Sequence, residues 1–450
     1  MTFELTQEYI DQLKEAIAAA NEQFVRGRVE ELLPQDVASI LYEMEIEEAK
    51  YIFAIFDHKE QADIINELDE SYRIEFLEHF STDEIAEYIK QIPSDDAADI
   101  LNEQEDAEAI IELIEDKDEE KAKDIKDLLH YDEDSAGGLM QKELLRANLN
   151  WTVEKCVEEM RGQSKKIGKI FSVYVVDDND KLLGRVSVKK MLLAEENTLI
   201  SEIYEHDLIS VEATMSAEDV ADLMKKYDLV AVPVINHQGK LLGRITIDDV
   251  VDVITEKAEM NMQAMSGITA SVEEEDSVWT LTKSRLPWLL VGMMGGILGA
   301  KFLGLYEHFI GLIPAMAFFI PLITATGGNV GIQASSLIVQ SLARDPYFND
   351  FSFYRMSKGF LVALINAMAI AVLVFAFNYL TGQDIKLSIV VSLALFSVVI
   401  LSSLMGTITP LILDRFGINP AVASGPFITT MNDLLGLAIY FTVAGYLYSI

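Results

Sequence analysis

A single carboxylate, Asp433, stands in the middle of the last apolar stretch of the sequence. Seventeen uncharged residues precede it (416–432) and seventeen follow it (434–450). A charged residue at the centre of a bilayer costs roughly 2.5 to 3.5 kcal/mol on insertion scales, so it is usually kept for a partner or an ion. On a helix, Thr429 and Gly436 would share its face and add a hydroxyl and bare backbone. The pattern predicts a cation site, and a structural hydrogen bond between helices is the alternative.

A second apolar stretch carries small and polar residues at membrane depth. It reads Pro321-Leu-Ile-Thr-Ala-Thr-Gly-Gly-Asn-Val-Gly-Ile-Gln-Ala-Ser-Ser336. Broken backbone in a bilayer is tolerated only where it lines water or is buried in protein. We therefore expect a broken helix that lines an ion pathway, with Asn329 as a pore-lining residue. A close helix-packing face built from small residues is the alternative.

Acidic residues in the N-terminal half are candidates for another kind of cation site. Asp95 and Asp99 are four residues apart, which would place both on one exposed face of a helix. Two like charges there destabilise the helix unless a cation lies between them. Acids in a first helical turn are also favoured by the helix dipole, so a purely structural role remains open.

The charge of the chain is divided unequally. Residues 285–450 contain 7 of the 35 Lys and Arg residues and 6 of the 73 Asp and Glu residues, which leaves the first 284 residues with a net charge of −39. Such a surface repels nucleic acid and attracts cations, although acidity also serves solubility alone. The single cysteine, Cys156, excludes an intrachain disulfide and a multi-thiolate metal centre.

Five apolar runs near the C-terminus can each cross about 30 Å of hydrocarbon as a helix. They are 286–306, 308–343, 359–383, 387–413 and 416–450. Basic residues flank these runs mostly on one side, which the positive-inside rule puts in the cytoplasm. They are Lys283, Arg285, Arg344, Arg355, Lys358 and Arg415, against Lys301 and Lys386 on the other side. We therefore expect a multi-pass protein of the cell (inner) membrane, with a cytoplasmic N-terminus, no cleavable signal and an external C-terminus.

Two internal repeats organise the residues before the first span. Leu33-Pro-Gln-Asp36 is echoed by Ile92-Pro-Ser-Asp95, each at the start of an amphipathic helix. Lys181-Leu-Leu-Gly-Arg185 recurs as Lys240-Leu-Leu-Gly-Arg244, each between a β-rich run and a helix. The first repeat predicts an all-α superhelical domain, and the second predicts two α/β modules related by pseudo-symmetry.

The expected fold is therefore multidomain. Its segments are an acidic α-superhelical domain (1–132), a first and a second α/β module (133–200 and 201–254), a connector helix (255–284) and a transmembrane domain of five helices (285–450). The paired modules resemble a tandem CBS pair, whose adenine-nucleotide sites use a Ser or Thr and an Asp after the last strand. Thr246 and Asp249 match these positions, whereas the first module has Ser187 followed by Lys190. The resemblance implies one nucleotide (ATP) site or an empty scaffold.

This order of domains resembles the MgtE family of magnesium channels over nearly the whole chain. Three motifs carry the resemblance, namely Tyr131-Asp-Glu-Asp-Ser-Ala-Gly-Gly-Leu-Met140, Thr326-Gly-Gly-Asn-Val-Gly-Ile-Gln333 and Asn432-Asp-Leu-Leu-Gly436. The resemblance implies a homodimer in the lipid bilayer with its pore on the two-fold axis. Asp433 of both chains would then hold hydrated Mg²⁺, and Thr429 and Gly436 would add oxygens.

The resemblance also implies gating by cytoplasmic Mg²⁺, which would bridge acidic faces that otherwise repel one another. The matching residues are Asp95, Asp99, Glu218, Asp228, Asp249 and Asp252. Near the pore mouth, where family carboxylates are expected, the chain has Ser216, Met260, Asn261 and Asn419. We therefore expect closure there to be weaker, or to rely on the superhelix.

The predicted function is Mg²⁺ uptake down its electrochemical gradient by a protein that is not an enzyme. A divalent ion gains roughly 4.6 kcal/mol on crossing about 100 mV, so no ATP hydrolysis is needed. The alternatives are a channel for Co²⁺, Mn²⁺, Ca²⁺ or Ni²⁺, a CBS-regulated Mg²⁺ sensor without transport, and a CBS-regulated anion channel. The sequence has no P-loop, no His-Glu-x-x-His and no evident nucleophile with a base, which speaks against an enzyme.

Overall fold

The computed structural model describes residues 3–163, 172–269, 272, 277–344, 353–423 and 425–448. The chain divides into two compact units, Met1–Ile254 and Thr255–Ile450. Each unit has a hydrophobic core of its own.

Ten short helices form the first part of the N-terminal unit, within the residues described. They are α1 (Gln7–Ala18), α2 (Glu22–Val29), α3 (Pro34–Tyr42), α4 (Ile46–Phe53), α5 (His58–Asn66), α6 (Glu70–Leu77), α7 (Thr82–Ile89), α8 (Ser94–Asn102), α9 (Ala107–Glu115) and α10 (Glu119–Leu128). Capping boxes fix several starts, for example Asp57 with Glu60 at α5 and Ser81 with Glu84 at α7. Alternate helices pack on one another (α3 on α5, α5 on α7, α7 on α9), which is the neighbour-to-neighbour packing of a helical repeat.

Two three-stranded sheets follow the helices. The first module contains β1 (Leu145–Asn148), α11 (Val153–Gln163), β2 (Val173–Val176), β3 (Leu182–Val186), α12 (Val188–Leu193) and α13 (Ile200–Ile203). The second contains β4 (Val211–Glu212), α14 (Ala217–Lys226), β5 (Ala231–Ile235) and β6 (Leu241–Thr246), and α15 (Ile247–Met265) follows it. In both sheets the middle strand pairs parallel with the first strand and antiparallel with the last. The predicted pair of α/β modules is confirmed. The first β-rich run was expected to begin at Phe171, which lies outside the described residues.

The repeated Leu-Leu-Gly-Arg segment has a backbone reason for its glycine. A side chain at Gly243 would lie 2.6 Å from the carbonyl oxygen of Gln141, and one at Gly184 would collide with the carbonyl of Glu205. Each glycine therefore lets another stretch of backbone approach the last strand of its sheet.

The C-terminal unit is built on long apolar helices. They are α16 (Val278–Gly304), α18 (Ile320–Arg344), α19 (Phe353–Leu380), α20 (Ile385–Arg415) and α21 (Pro426–Tyr448), and the short helix α17 (Glu307–Leu312) follows α16. Within the described residues, five segments are long and apolar enough to cross a bilayer, as predicted. The most apolar window of α20 is 56% buried and that of α16 only 6%, so α20 is the central support and α16 lies at the edge.

The expectation of a broken second span is wrong, because α18 is a continuous helix through the glycine-rich segment. Its glycines serve packing instead. A Cβ at Gly327 would lie 3.0 Å from Val398 of α20, and one at Gly331 would collide with the amide of Asn432 on α21. This side of α18 is therefore a helix-packing face of small residues. The irregular backbone lies earlier in the chain, in a 3-10 turn at Pro314–Phe319.

Gly406 of α20 gives a test of this close packing, since a Cβ there would collide with the backbone carbonyl of Gly331. We expect Gly406→Ala to destabilise the protein by about 1 to 3 kcal/mol, as overpacking does, and to lower its thermal midpoint in detergent. Gly299→Ala on α16 is the matched control, because nothing lies within 4 Å of a Cβ there. Loss of the monodisperse chromatographic peak on heating measures both variants, and equal midpoints would contradict the packing.

Candidate ion-binding sites

Asp433 lies in the third turn of α21 and is half-buried. It faces Gly328 of α18, where a Cβ would lie 3.3 Å from Thr429 Cγ2 and 3.9 Å from Asp433 Oδ1. Among the described residues, no hydrogen bond or ion pair occupies the Asp433 carboxylate. The absence of a side chain at 328 therefore leaves space beside a carboxylate that nothing in the described chain neutralises.

The structure separates the residues predicted to line the path with Asp433. Thr429 lies beside Asp433, and its hydroxyl donates to the carbonyl of Gly425 at 3.3 Å. Gly436 is buried in helix packing, where a Cβ would lie 3.4 Å from Ile323 Cγ2. Asn329 lies in a cavity between α18 and α19. Thr429 and Asp433 are brought together, and the part these residues play in ion passage stays a prediction.

Sequence reasoning did not assign a role to Asn432. Its side chain is 1% exposed, and neither Oδ1 nor Nδ2 has a hydrogen-bond partner among the described residues. A buried amide without a partner is costly unless a water or an ion satisfies it. The sequence signal that could have pointed to Asn432 was its position next to Asp433 in the Asn432–Gly436 motif.

The first turn of α8 holds Asp95, one of the acidic residues predicted to sense metal. Asp95 is 5% exposed, and its Oδ1 has no hydrogen-bond partner in the described chain. Burial raises the pKa of Asp95 well above its ordinary value, and the charges of Asp96, Asp249 and Glu143 raise it further. The structure thus brings Asp95 close to Asp249 at the start of α15.

The expected exposed face is wrong for Asp95 and right for Asp99, which is exposed. The segment around Glu143 covers the first turn of α8. Ser94 donates to Glu143 Oε2 through its hydroxyl (2.6 Å) and its backbone N–H (3.2 Å), and Lys121 Nζ donates to Oε1 at 2.8 Å. Burial alone would raise the pKa of Glu143, but Lys121 and Ser94 hold it below its ordinary value. A charged Glu143 therefore sits beside Asp95.

The other predicted sensor residues surround this cluster without forming a closed metal centre. Glu218 is exposed in the first turn of α14, and Asp228 follows that helix with φ +50°. Asp252 is exposed on α15, and its charge contributes to raising the pKa of Glu67, which burial raises first. In the part of the chain that is described, no three Asp, Glu, His or Cys side chains converge on one point. A cation here would bridge carboxylates that otherwise only repel one another.

The predicted nucleotide position differs between the two modules. In the second, the Thr246 hydroxyl donates to Asp249 Oδ2 at 2.8 Å, so a hydroxyl and a carboxylate lie together. In the first, Ser187 caps Lys190 N at 3.2 Å, and the Lys190 ammonium pairs with Glu205 at 3.0 Å. The Thr and Asp pair expected of a nucleotide site is therefore present in the second module and absent from the first, and its binding of a nucleotide stays a prediction.

The residues that stand where carboxylates were expected are hydrogen-bonded within the chain or exposed. Asn419 Nδ2 donates to Asn261 Oδ1 at 3.2 Å, and Ser216 caps α14 by accepting from Asp219 N at 3.2 Å. Met260 is exposed. The end of α15 also lies close to the start of α21, since a Cβ at Gly425 would lie 2.8 Å from the carbonyl of Met265. These contacts need no metal.

Comparison with known proteins gives the family. Sequence models of three families match consecutive segments, namely the MgtE intracellular N domain (32–134), the CBS domain (136–197 and 200–256) and the MgtE divalent cation transporter (320–443). The magnesium transporter MgtE of Enterococcus faecalis is 33% identical over 329 residues, which are 72% of each chain. The chain belongs to the MgtE family.

Further MgtE proteins match over nearly their whole length. The magnesium transporter MgtE of Thermus thermophilus is 29% identical and covers 96% of this chain and 97% of its own. The solved cytosolic domain of the Mg²⁺ channel MgtE in complex with ATP is 28% identical, with a TM-score of 0.51, and covers 54% of this chain and 99% of its own. The soluble part of a magnesium transporter is 27% identical, with a TM-score of 0.50, and covers 56% and 99%.

These matches confirm the predicted family and fold class. Membership in a transporter family also confirms that the chain is not an enzyme, and the intracellular N domain with five candidate spans confirms the membrane location. Sequence reasoning assigned no role to Asp96, Glu143 and Glu67, which lie near the acids predicted to sense metal. Asp96 could have been found from its position next to Asp95, whereas Glu143 and Glu67 are far from Asp95 in the sequence.

The crowded carboxylates predict a pH dependence of folding. Burial raises the pKa of Asp96 to about 6, although Asn66 donates to it at 2.9 Å. The folded protein therefore binds a proton more tightly than the unfolded chain, so stability is lost as pH rises from the unfolded pKa to about 6. We expect residues 1–265 in EDTA to lose about 1 kcal/mol from Asp96 between pH 5 and 7.

Thermal unfolding at the two pH values measures this loss. Asp96→Asn should reduce the difference, whereas Glu108→Gln, which removes an exposed carboxylate of α9, should keep it. A cytosolic fragment with the same midpoint at both pH values would contradict the burial of these acids.

Proposed function

We propose that this protein carries Mg²⁺ into the cell down its electrochemical gradient through a path that passes Asp433. The observation that carries the proposal is a carboxylate at membrane depth, half-buried, with no partner in the described chain and with the side-chain-free Gly328 beside it. A charge in that place is retained for an ion or another charged group. Family membership and the relatives named as magnesium transporters support Mg²⁺ as the ion.

The working form is proposed to be a homodimer in which Asp433 of one chain faces that of the other. Part of the Asp433 side chain remains uncovered on the single chain, which favours a polar partner rather than lipid. Two carboxylates would balance the two charges of the ion. Mg²⁺ keeps most of its waters, so the Thr429 hydroxyl and nearby carbonyls would contact it through those waters.

Cytoplasmic Mg²⁺ is proposed to close the path. The buried Asp95, with one oxygen that lacks a partner in the described chain, lies close to Asp249, and Asp99 lies one turn further along α8. Oxygen ligands of this kind suit Mg²⁺, and a bound cation would offset the repulsion among them. Asp252, Glu218 and Asp228 would add ligands as the acidic faces approach. Metal loss would favour an arrangement in which these carboxylates separate.

The orientation follows from the intracellular N domain. Five crossings from a cytoplasmic start place the end of α21 outside the cell, on the basis of the described spans. The ion would then enter from the side of Lys301 and Lys386 and leave on the side of the acidic unit.

An adenine nucleotide is proposed as a ligand of the second CBS module. The Thr246 and Asp249 pair supports it, and a solved relative holds ATP in its cytosolic domain. Thr246→Val should abolish ATP binding to the purified protein, as measured by calorimetry, because it removes the hydroxyl. Ser187→Val in the first module is the matched control and should bind as the wild type does. Equal binding by both variants would place the nucleotide elsewhere.

The transport proposal predicts that Asp433→Asn abolishes Mg²⁺ uptake into proteoliposomes, because the neutral amide cannot balance the ion. Glu307→Gln, an exposed carboxylate of α17, is the matched control and should keep wild-type uptake. Uptake by a folded Asp433→Asn protein would refute the path. Competition by Co²⁺, Mn²⁺ or Ni²⁺ tests the alternative ions, and a wild type without any uptake would favour a sensor.

The regulatory proposal predicts that the triple change of Asp95, Asp99 and Asp249 to Asn makes uptake insensitive to Mg²⁺ on the cytoplasmic side. The matched control removes three charges from α9 and its end, as Glu108→Gln, Glu112→Gln and Asp116→Asn, and should keep inhibition. The readout is the rate of uptake against internal Mg²⁺ concentration. Unchanged inhibition in the first triple variant would overturn the assignment of these acids.

A further inference from the structure

A polar cavity lies between α18 and α19, on a side of the bundle that the Asp433 site does not use. Its volume is about 370 Å³. The lining residues are Thr326, Asn329, Val330 and Gln333 of α18 with Asn366, Ala369 and Ile370 of α19. Three amides and a hydroxyl therefore line one space between two membrane-spanning helices.

These polar groups lie deep in the membrane and are not satisfied by the chain itself. Asn366 is the fourteenth residue of the 28-residue helix α19, so each end of the helix is about 20 Å away. Among the described residues, none of the four polar side chains makes a hydrogen bond. Asn329, Gln333 and Asn366 are exposed. Unsatisfied amides facing hydrocarbon are costly, so water, a polar ligand or polar groups of a partner chain are expected to cover them.

The cavity faces away from Asp433. Gly328 marks the side of α18 that meets Asp433. On a helix, Thr326, Val330 and Gln333 lie roughly 140° to 200° around the axis from Gly328, and Asn329 about 100°. The amides consequently form a separate place, with Asn329 at its edge nearest the carboxylate.

The chemistry of the lining suits a hydrated cation. Amide and hydroxyl oxygens accept hydrogen bonds from the waters of an ion, and none of the lining side chains is positively charged. Six waters occupy roughly 180 Å³ in the liquid, at about 30 Å³ each, so a hexahydrated ion fits. Neutral oxygens also bind less tightly than a carboxylate, which lets an ion leave again.

Building on the transport function proposed above, we propose that this cavity is a second, carboxylate-free station for a hydrated divalent cation, with Asn366 as its α19 ligand. The ion keeps its waters there and exchanges no covalent bond. Asn366 would offer the water shell of the ion a carbonyl oxygen opposite the α18 amides.

Accessibility of an introduced thiol tests the station directly. The native cysteine, Cys156, is buried and can be replaced by Ser to give a thiol-free background. In that background Ala369→Cys, which lines the cavity and is not a proposed ligand, is compared with Met368→Cys, an exposed position about 200° around α19 from Asn366 that does not line the cavity. Full-length protein in liposomes is treated with a cationic and with an anionic methanethiosulfonate of similar size, with and without millimolar Mg²⁺.

We expect Ala369→Cys to react at least tenfold faster than Met368→Cys, faster with the cationic reagent, and more slowly when Mg²⁺ is present. No reaction at 369 would mean that lipid or a second copy of the chain covers the cavity, which overturns the proposal. Reaction without protection by Mg²⁺ would mean a water-filled cavity that holds no cation, which also overturns it.

The same measurement in an Asp433→Asn background separates the station from the path through Asp433. Protection at 369 that survives this change supports an independent site, whereas loss of protection would show that residue 369 only senses an ion at Asp433. Uptake by Asp433→Asn would refute the proposed function whatever the protection at 369.

Transport kinetics give a second readout. Asn366→Leu should lower Mg²⁺ uptake about tenfold in a protein that remains monodisperse, and Asn366→Ser, which keeps an oxygen, should restore most of it. Equal uptake by both variants and the wild type would overturn a role for the station in transport.

Discussion

The membrane unit depends on the close approach of α18 to α20 and α21. Gly327, Gly331 and Gly406 remove the side chains that would hold these helices apart, and the absence of a Cβ at Gly328 leaves room for the Asp433 carboxylate. Close packing without side chains is a usual way to join helices where lipid offers no hydrophobic drive. The same contact divides α18 into a packed glycine face and an amide face. Both candidate cation positions follow from that division.

The cytosolic unit, by contrast, brings together carboxylates that repel one another. Glu143 is fixed by Ser94 and Lys121, and this anchors the segment before β1 over the first turn of α8. Asp95 is thereby enclosed among other acids. Repulsion among these acids lowers the stability of the fold. Its stability therefore depends on whatever neutralises them, whether proton or metal. The burial of these acids is thus a property of packing as much as of composition.

Hydropathy and internal repeats predicted the spans, the helical domain and the paired sheets, because each depends on local periodicity. The continuity of α18 was not predicted, since glycines that weaken an isolated helix are tolerated where neighbours pack on them. The burial of Asp95 depends on Glu143, 48 residues away, and could not be seen locally. Asn366 lies in an ordinary apolar run, Leu-Ile-Asn-Ala-Met, and only the fold places it opposite Asn329.

The two CBS modules show how a duplicated segment can divide its tasks. Gly184 and Gly243 keep the same backbone approach in both copies, so the framework of each module is settled before any ligand is considered. The residue three places after the Ser or Thr differs between the copies, Lys190 in one and Asp249 in the other. Lys190 forms an ion pair with Glu205, and Asp249 faces the acids of α8. The same backbone position therefore carries a salt bridge in one copy and an additional repelling carboxylate in the other.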